Sequence, residues 1–143
     1  MTNQAQASYD VQKFRDLIKD IPFAMFTTVT AGGSLRSRPM VATVDAFDGK
    51  LWFFTRTGSA VAQEIAGNLE VNVTYVSAPE DRFISVSGRA VVSRDVERAG
   101  QMWNASYNQW FAGGASDEEL SMLAIDVAKV EYWDRKAGRM QLL

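Results

Sequence analysis

A chain of 143 residues is of single-domain size and long enough to bury a real core. Its net charge of −2 argues against nucleic acid as a partner, since such binders usually show a basic face. It has no cysteine and no histidine, which excludes disulfides, thiol catalysis, zinc–thiolate sites, His-ligated haem and His-activated nucleophiles.

Residues 1–143 read as one domain, with no internal repeat and no linker. Met1 to Ala7 are polar, lack a signal-peptide core and read as a flexible tail. With no apolar run long enough to span a bilayer, the expected address is cytoplasmic, with no membrane partner. Ser8 to Asp20 predicts an amphipathic helix. Val11, Phe14, Leu17, Ile18 and Ile21 follow helical spacing, Ser8 serves as N-cap, and Pro22 stops it. Phe23 to Thr30 predicts the first strand. Ala31-Gly32-Gly33-Ser34 reads as a hairpin loop. A second strand is expected from Leu35 to Phe47, with Arg36, Arg38 and Met40 on one face and Ser37, Pro39 and Val41 on the other. Pro39 cannot donate to a ladder, so it marks an edge or a bulge where backbone is accessible.

A turn at Asp48-Gly49-Lys50 leads to a third strand, Leu51 to Thr55. The polar turn Arg56-Thr57-Gly58-Ser59 opens a helix over Ala60 to Ala66. That junction has two readings. Backbone N–H groups and a hydroxyl at a helix start can hold a phosphate. A Ser N-cap after a Gly turn is also common structural punctuation.

Val71 to Val76 predicts a fourth strand, and Ser77 to Asp81 a loop. Phe83 to Ser93 predicts a fifth, with Ile84, Val86, Ala90 and Val92 facing the core. Gly88 in mid-strand suggests a bulge or a close backbone approach. Asp95 is expected to cap a helix running to about Phe111, with Trp103, Tyr107 and Trp110 as an aromatic stripe. Such stripes are usually core. Gly113-Gly114 then ends the helix. Ser116 to Glu119 matches a capping box, so a short helical turn should follow. Met122 to Val127 and Val130 to Asp134 read as the last strands. Short strands joined by hairpins suggest a small antiparallel barrel.

Several segments in this order resemble the pyridoxamine phosphate oxidase-like, FMN-binding split-barrel family, and its general stress protein branch most closely. Ser37-Arg38-Pro39-Met40 is similar to the segment that lies along the flavin ring. Leu51 to Thr55 followed by Ser59 and Glu64-Ile65 fits the family pattern, as does Val86-Ser87-Gly88-Arg89-Ala90. Trp103-Asn104, Trp110-Phe111 with Gly113-Gly114, and Glu131-Tyr132-Trp133-Asp134 look like the branch signature.

The resemblance implies a mostly β, split antiparallel barrel with flanking helices, a homodimer, and FMN at the subunit interface. The ring would lie on the backbone from Arg38 to Val41, beside Ser37. Thr55, Arg56 and Ser59 would approach the phosphate. The partner would add aromatic cover, with Trp110, Phe111 and Trp133 as candidates. The chain departs from the family at Val61, where a basic residue is usual. Arg56 is the local candidate to replace it, Arg38 or Arg36 could also turn inward, and without a replacement the departure implies weak FMN retention or a different ligand. On this reading Val61→Lys should tighten FMN binding and raise stability with ligand present. Arg38 is a candidate to stabilise negative charge on a reduced ring, or else a surface ion pair.

The function so implied is an FMN-dependent oxidoreductase acting on a small molecule, with a nicotinamide as candidate electron donor. The alternatives are a flavin-binding stress protein without turnover and an interaction module with a decayed site. No catalytic residue is assigned, and no metal site.

Overall fold

The computed structural model describes residues 10–42, 49–135 and 139–142. Ser8, the expected first cap, lies outside them. Helix α1 (Val11–Ile18) is capped instead by Asp10, whose carboxylate accepts the Lys13 N–H at 3.0 Å. That bond satisfies one of the amides a first turn leaves without an intrahelical partner. Phe14, Leu17 and Ile18, spaced three and four apart, are buried on one face.

The strands are β1 (Phe23–Val29), β2 (Leu35–Val41), β3 (Lys50–Arg56), β4 (Glu70–Ser77), β5 (Arg82–Ser93), β6 (Leu120–Asp134) and β7 (Arg139–Leu142). Helix α2 (Ala60–Gly67) follows β3, and α3 (Val96–Met102) follows β5. All pairings are antiparallel, in the order β2-β1-β4-β5-β6-β3, with β7 on β6. The edge strands β2 and β3 approach each other without a paired register. The sheet is thus a curled half-barrel with a gap, consistent with a split barrel. The expected continuation of β2 to Phe47 falls mostly outside the described residues. No helix among those described is long and apolar enough to cross a membrane.

Strand alternation fills the inside of the curl. Phe26, Phe53, Val73, Tyr75, Ile84, Val86, Ala90, Leu123, Ile125 and Val130 are buried in one cluster, and α1 and α2 close it with Phe14, Ile18, Val61 and Ile65. The Phe26 and Phe53 rings meet edge to face at 5.4 Å. Gly88 is where two backbones come close. A Cβ there would lie 2.3 Å from the Asp126 carbonyl oxygen, and the β5–β6 register shifts between Ser87 and Gly88. The bulge lets β6 run on, so the two expected last strands are one.

Two expectations fail after β5. The helix capped by Asp95 stops at Met102 instead of reaching Phe111. Trp103 and Asn104 adopt extended backbone, and the Asn104 side chain accepts the Ser106 N–H at 2.9 Å. That local bond competes with helix continuation and starts a separate 3-10 helix, Ala105–Gln109. The capping box fails for a similar reason. Asp117, not Ser116, accepts the N–H groups of Glu119 and Gly113, at 2.9 and 3.0 Å. The chain then passes into β6 at Leu120 with no helical turn. A second buried cluster of Ala99, Met102, Phe111, Leu120 and Met122 holds this region on the outside of the sheet, against Trp52 and Phe54.

Candidate functional site

Alternation divides β2 and β3 between two environments. Arg36, Arg38 and Met40 lie opposite the inward residues Thr28, Phe26 and Ala24 of β1. Ser37, Pro39 and Val41 therefore face outward. In β3, Leu51, Phe53 and Thr55 are buried, while Trp52, Phe54 and Arg56 face out.

On the outer side, where β2 and β3 approach, there is a cavity of about 240 Å³. Pro39, Met40 and Val41 line one side, Phe54 and Arg56 a second, and Tyr107, Trp110 and Phe111 of the irregular segment a third. Arg56 fixes that segment. Its Nη2 donates to the Trp110 carbonyl at 2.5 Å, its guanidinium lies 5.2 Å from the Phe111 ring centre, and its Nη1 is 3.9 Å from Glu119. Phe54 packs on Trp103 and Tyr107, with centroids 5.2 and 5.5 Å away. The Trp103 indole N–H donates to Asn108 at 2.8 Å. The two backbone N–H groups bound to Asp117 hold its carboxyl below the usual range, helped by Arg56 and Arg94. That turn stays anionic beside the guanidinium. Trp110 remains 41% exposed, so its ring is available for contact.

On the inner side the polar groups bind one another. Arg38 Nη2 donates to Glu64 Oε1 at 2.5 Å, and Thr28 donates to the same oxygen at 2.6 Å. Arg38 Nη1 also donates to Thr28 Oγ1 at 2.8 Å. Arg36 reaches Glu64 Oε2 at 3.2 Å. The Thr28 hydroxyl, then Arg38 and Arg36, hold the Glu64 carboxyl below its ordinary value of 4.5. Thr55 and Ser59 share a hydrogen bond of 2.8 Å, and Ser59 caps α2 by accepting the Ala62 N–H.

Six of the residues singled out from the sequence thus meet in one cavity: Pro39, Met40, Val41, Arg56, Trp110 and Phe111. All six belong to one chain, whereas the resemblance assigns Trp110 and Phe111 to the partner. The others lie elsewhere. The Ser37 hydroxyl bonds Thr27 at 2.5 Å. The Arg38 side chain turns inward to Glu64, so it does not face the cavity. Thr55 and Ser59 face each other. Trp133 sits at the far end of β6, opposite Phe83 and Met140. Val61 is 5% exposed and packs in the main core. Sequence reasoning missed Phe54 as a lining residue. Tyr107, read from the sequence as part of a core stripe and as one candidate for proton traffic, lies on the cavity wall.

Known proteins resemble the chain in family and fold. A family model described as "Pyridoxamine 5'-phosphate oxidase like" matches residues 9–143. "Protein bli-3" of Neurospora crassa is 25% identical over 134 residues, covering 85% of this chain and 64% of the relative. The chain therefore spans under two thirds of that protein. A general stress FMN/FAD binding protein of Xanthomonas citri superposes with a TM-score of 0.74 at 26% identity, covering 87% of each chain. General Stress Protein 26 of Bacillus anthracis shares the fold, with a TM-score of 0.77 at 20% identity, covering 92% of this chain and 97% of that one.

Proposed function

Since the chain belongs to the pyridoxamine 5'-phosphate oxidase-like family, we propose that it binds a flavin, FMN in the first instance, and serves as a flavin-dependent oxidoreductase for a small molecule. The observation that carries the reading is the aromatic cavity between β2 and β3. Phe54, Tyr107, Trp110 and Phe111 border it, and the accessible backbone of Pro39 to Val41 forms its other side. A planar ring gains from such walls by stacking and by loss of apolar surface from water. A bound flavin supplies hydride and electron transfer. The chain's own contribution is position and shielding, with a reduced nicotinamide as the proposed donor. Among the cavity's described lining residues Tyr107 carries the one side chain with a titratable proton besides arginine, and there is no carboxylate. That favours, as a second reading, a flavin carrier without turnover. A titration with FMN tests the binding: saturable quenching of flavin fluorescence supports it, and a flat curve rejects it. Oxidation of reduced nicotinamide by the FMN-loaded protein then separates enzyme from carrier.

We further propose a homodimer that completes the cavity. At about 240 Å³ it is smaller than the roughly 300–1,000 Å³ of ordinary ligand sites. An apolar row leads away from it across the outer sheet face. Phe23 pairs with Val41, Val76 with Phe83, and Phe83 with Trp133. Phe23 is 54% exposed and Val76 49%. Apolar surface of this kind marks an interaction face. A second copy laid on it brings its own Trp133 toward the cavity. Phe83→Lys should give monomers in sedimentation and weaken flavin binding; an unchanged sedimentation coefficient rejects this interface.

A further inference from the structure

The sequence offers Arg38 as the group to stabilise negative charge on a reduced ring, but its guanidinium turns inward to Thr28 and Glu64. On the neighbouring edge strand β3, Arg56 faces outward. Among the described residues that line the cavity, it alone is charged. Its side chain is 53% exposed. One guanidinium nitrogen donates to the Trp110 carbonyl, and the other terminal nitrogen stands 3.9 Å from Glu119, beyond hydrogen-bonding distance. A guanidinium carries more N–H donors than that single bond uses, so donors remain for a ligand. The carboxylates behind it leave its charge in place. Glu119 is 72% exposed, so water screens its pull. Asp117 is bound by the N–H groups of Gly113 and Glu119 and shared with Arg94.

The position of this cation decides which part of a flavin it meets. Arg56 lies 5.2 Å from the Phe111 ring centre, level with the aromatic walls. A planar ring stacked on those walls sits beside the guanidinium. A terminal phosphate hangs from a ribityl chain and reaches past it. The second copy proposed above lays its apolar row and Trp133 toward the cavity. Glu131 and Lys129, which follow Trp133 back along the same face of β6, pair with each other at 3.6 Å. A pair of that kind adds no net charge.

We infer that Arg56 faces the flavin ring and stabilises the negative charge the ring gains on reduction, so that the cavity binds reduced flavin more tightly than oxidised. This rests on the flavin reading above and gives a new role to a residue that the resemblance assigns to the phosphate. Reduced nicotinamide, the proposed donor, gives up a hydride, an electron pair with its proton, and leaves oxidised. The negative charge stays on the acceptor ring until a proton from water follows. Arg56 offsets that charge beside apolar walls, where a charge pair is screened less than in water.

The test is the reduction potential of FMN bound to the full-length protein, measured against a reference dye, in the wild type, Arg56→Gln and Arg56→Lys, with riboflavin as a second ligand. In Arg56→Gln, affinity for reduced FMN should fall at least about tenfold more than affinity for oxidised FMN, which lowers the potential by about 30 mV for a two-electron couple. Arg56→Lys keeps the charge and should restore most of that. Riboflavin should show the same shifts. Equal loss in both oxidation states, with the potential unchanged, makes Arg56 a tether of the Trp110 wall and overturns the inference. So does a loss confined to FMN, because the anion that Arg56 meets is then the phosphate. Should Arg56→Gln hold no flavin, the wild type decides alone. At about pH 6 its potential should change by about 30 mV per tenfold change in proton concentration, one proton per electron pair, and a slope of about 60 mV overturns the inference. A wild type that binds no flavin rejects the flavin reading itself, and the inference falls with it.

Discussion

Pro39, Val41, Phe54 and Arg56 border an open aromatic cavity on the outer face of β2 and β3. One residue along in the same strands, Arg38 and Thr55 turn inward and are held by Thr28, Glu64 and Ser59. Both environments contain polar groups that sequence patterns assign to ligand binding. Only the outer one leaves surface for a ligand. The inner one ties β1, β2 and α2 together around a single carboxylate. The contrast teaches that an arginine beside a flavin motif is not a flavin contact until its partner is known. A two-residue period decides which side it serves.

This division can be broken by substitution. The largest effect should come from Val61→Lys, which forces an ammonium into the main core. Destabilisation on the order of 3–5 kcal/mol is expected, read by denaturant unfolding. Tighter FMN binding without loss of stability would show that α2 does accept a phosphate partner at that position.

Trp110→Ala addresses the outer side. Stacking on an exposed aromatic is worth about 1–3 kcal/mol, judged by bases stacked on such rings. Flavin affinity should fall by that amount with the thermal midpoint nearly unchanged. Global unfolding would instead return Trp110 to the core.

A smaller effect is expected at Glu64. Its carboxyl lies below 4.5 in the folded state. The unfolded chain therefore binds the proton first as pH falls. The stabilisation is complete above 4.5 and is lost as pH drops through the folded value. Glu64→Gln should remove this part of the acid limb of a stability profile, and flavin affinity at neutral pH should hold. An acid limb identical to that of the parent would contradict the clamp. The smallest effect belongs to Ser37→Ala, which removes an exposed hydroxyl pair with Thr27. Stability should change by less than about 0.5 kcal/mol.

Much of the barrel was legible because strands with one buried face alternate. Phe23 to Val29 and Glu70 to Ser77 do so. Gly88 was legible because a glycine amid β-formers signals a close backbone approach. The segment after β5 was not. Its helical spacing is real through Met102, but Asn104 and Asp117 use their side chains to bond nearby backbone, and such local competition does not show in periodicity. Six cavity residues were legible by family likeness. Phe54 was hidden because Leu51-Trp52-Phe53-Phe54 is apolar on both faces, so the run does not say which residue points out. The likeness singles out Trp110 and Phe111, but their presence beside the chain's own Pro39 depends on the turn held by Arg56, a tertiary contact 54 residues apart in sequence.

The central claim is that the outer cavity, with Trp110 at its border, is where a flavin ring binds. One measurement tests it most directly: FMN titrated into the wild-type protein and into Trp110→Ala, followed by flavin fluorescence, with both proteins shown to be folded by circular dichroism. Saturable quenching in the wild type and a several-fold weaker curve in the variant are the predicted result. Equal curves, or no saturation in the wild type, would contradict the account.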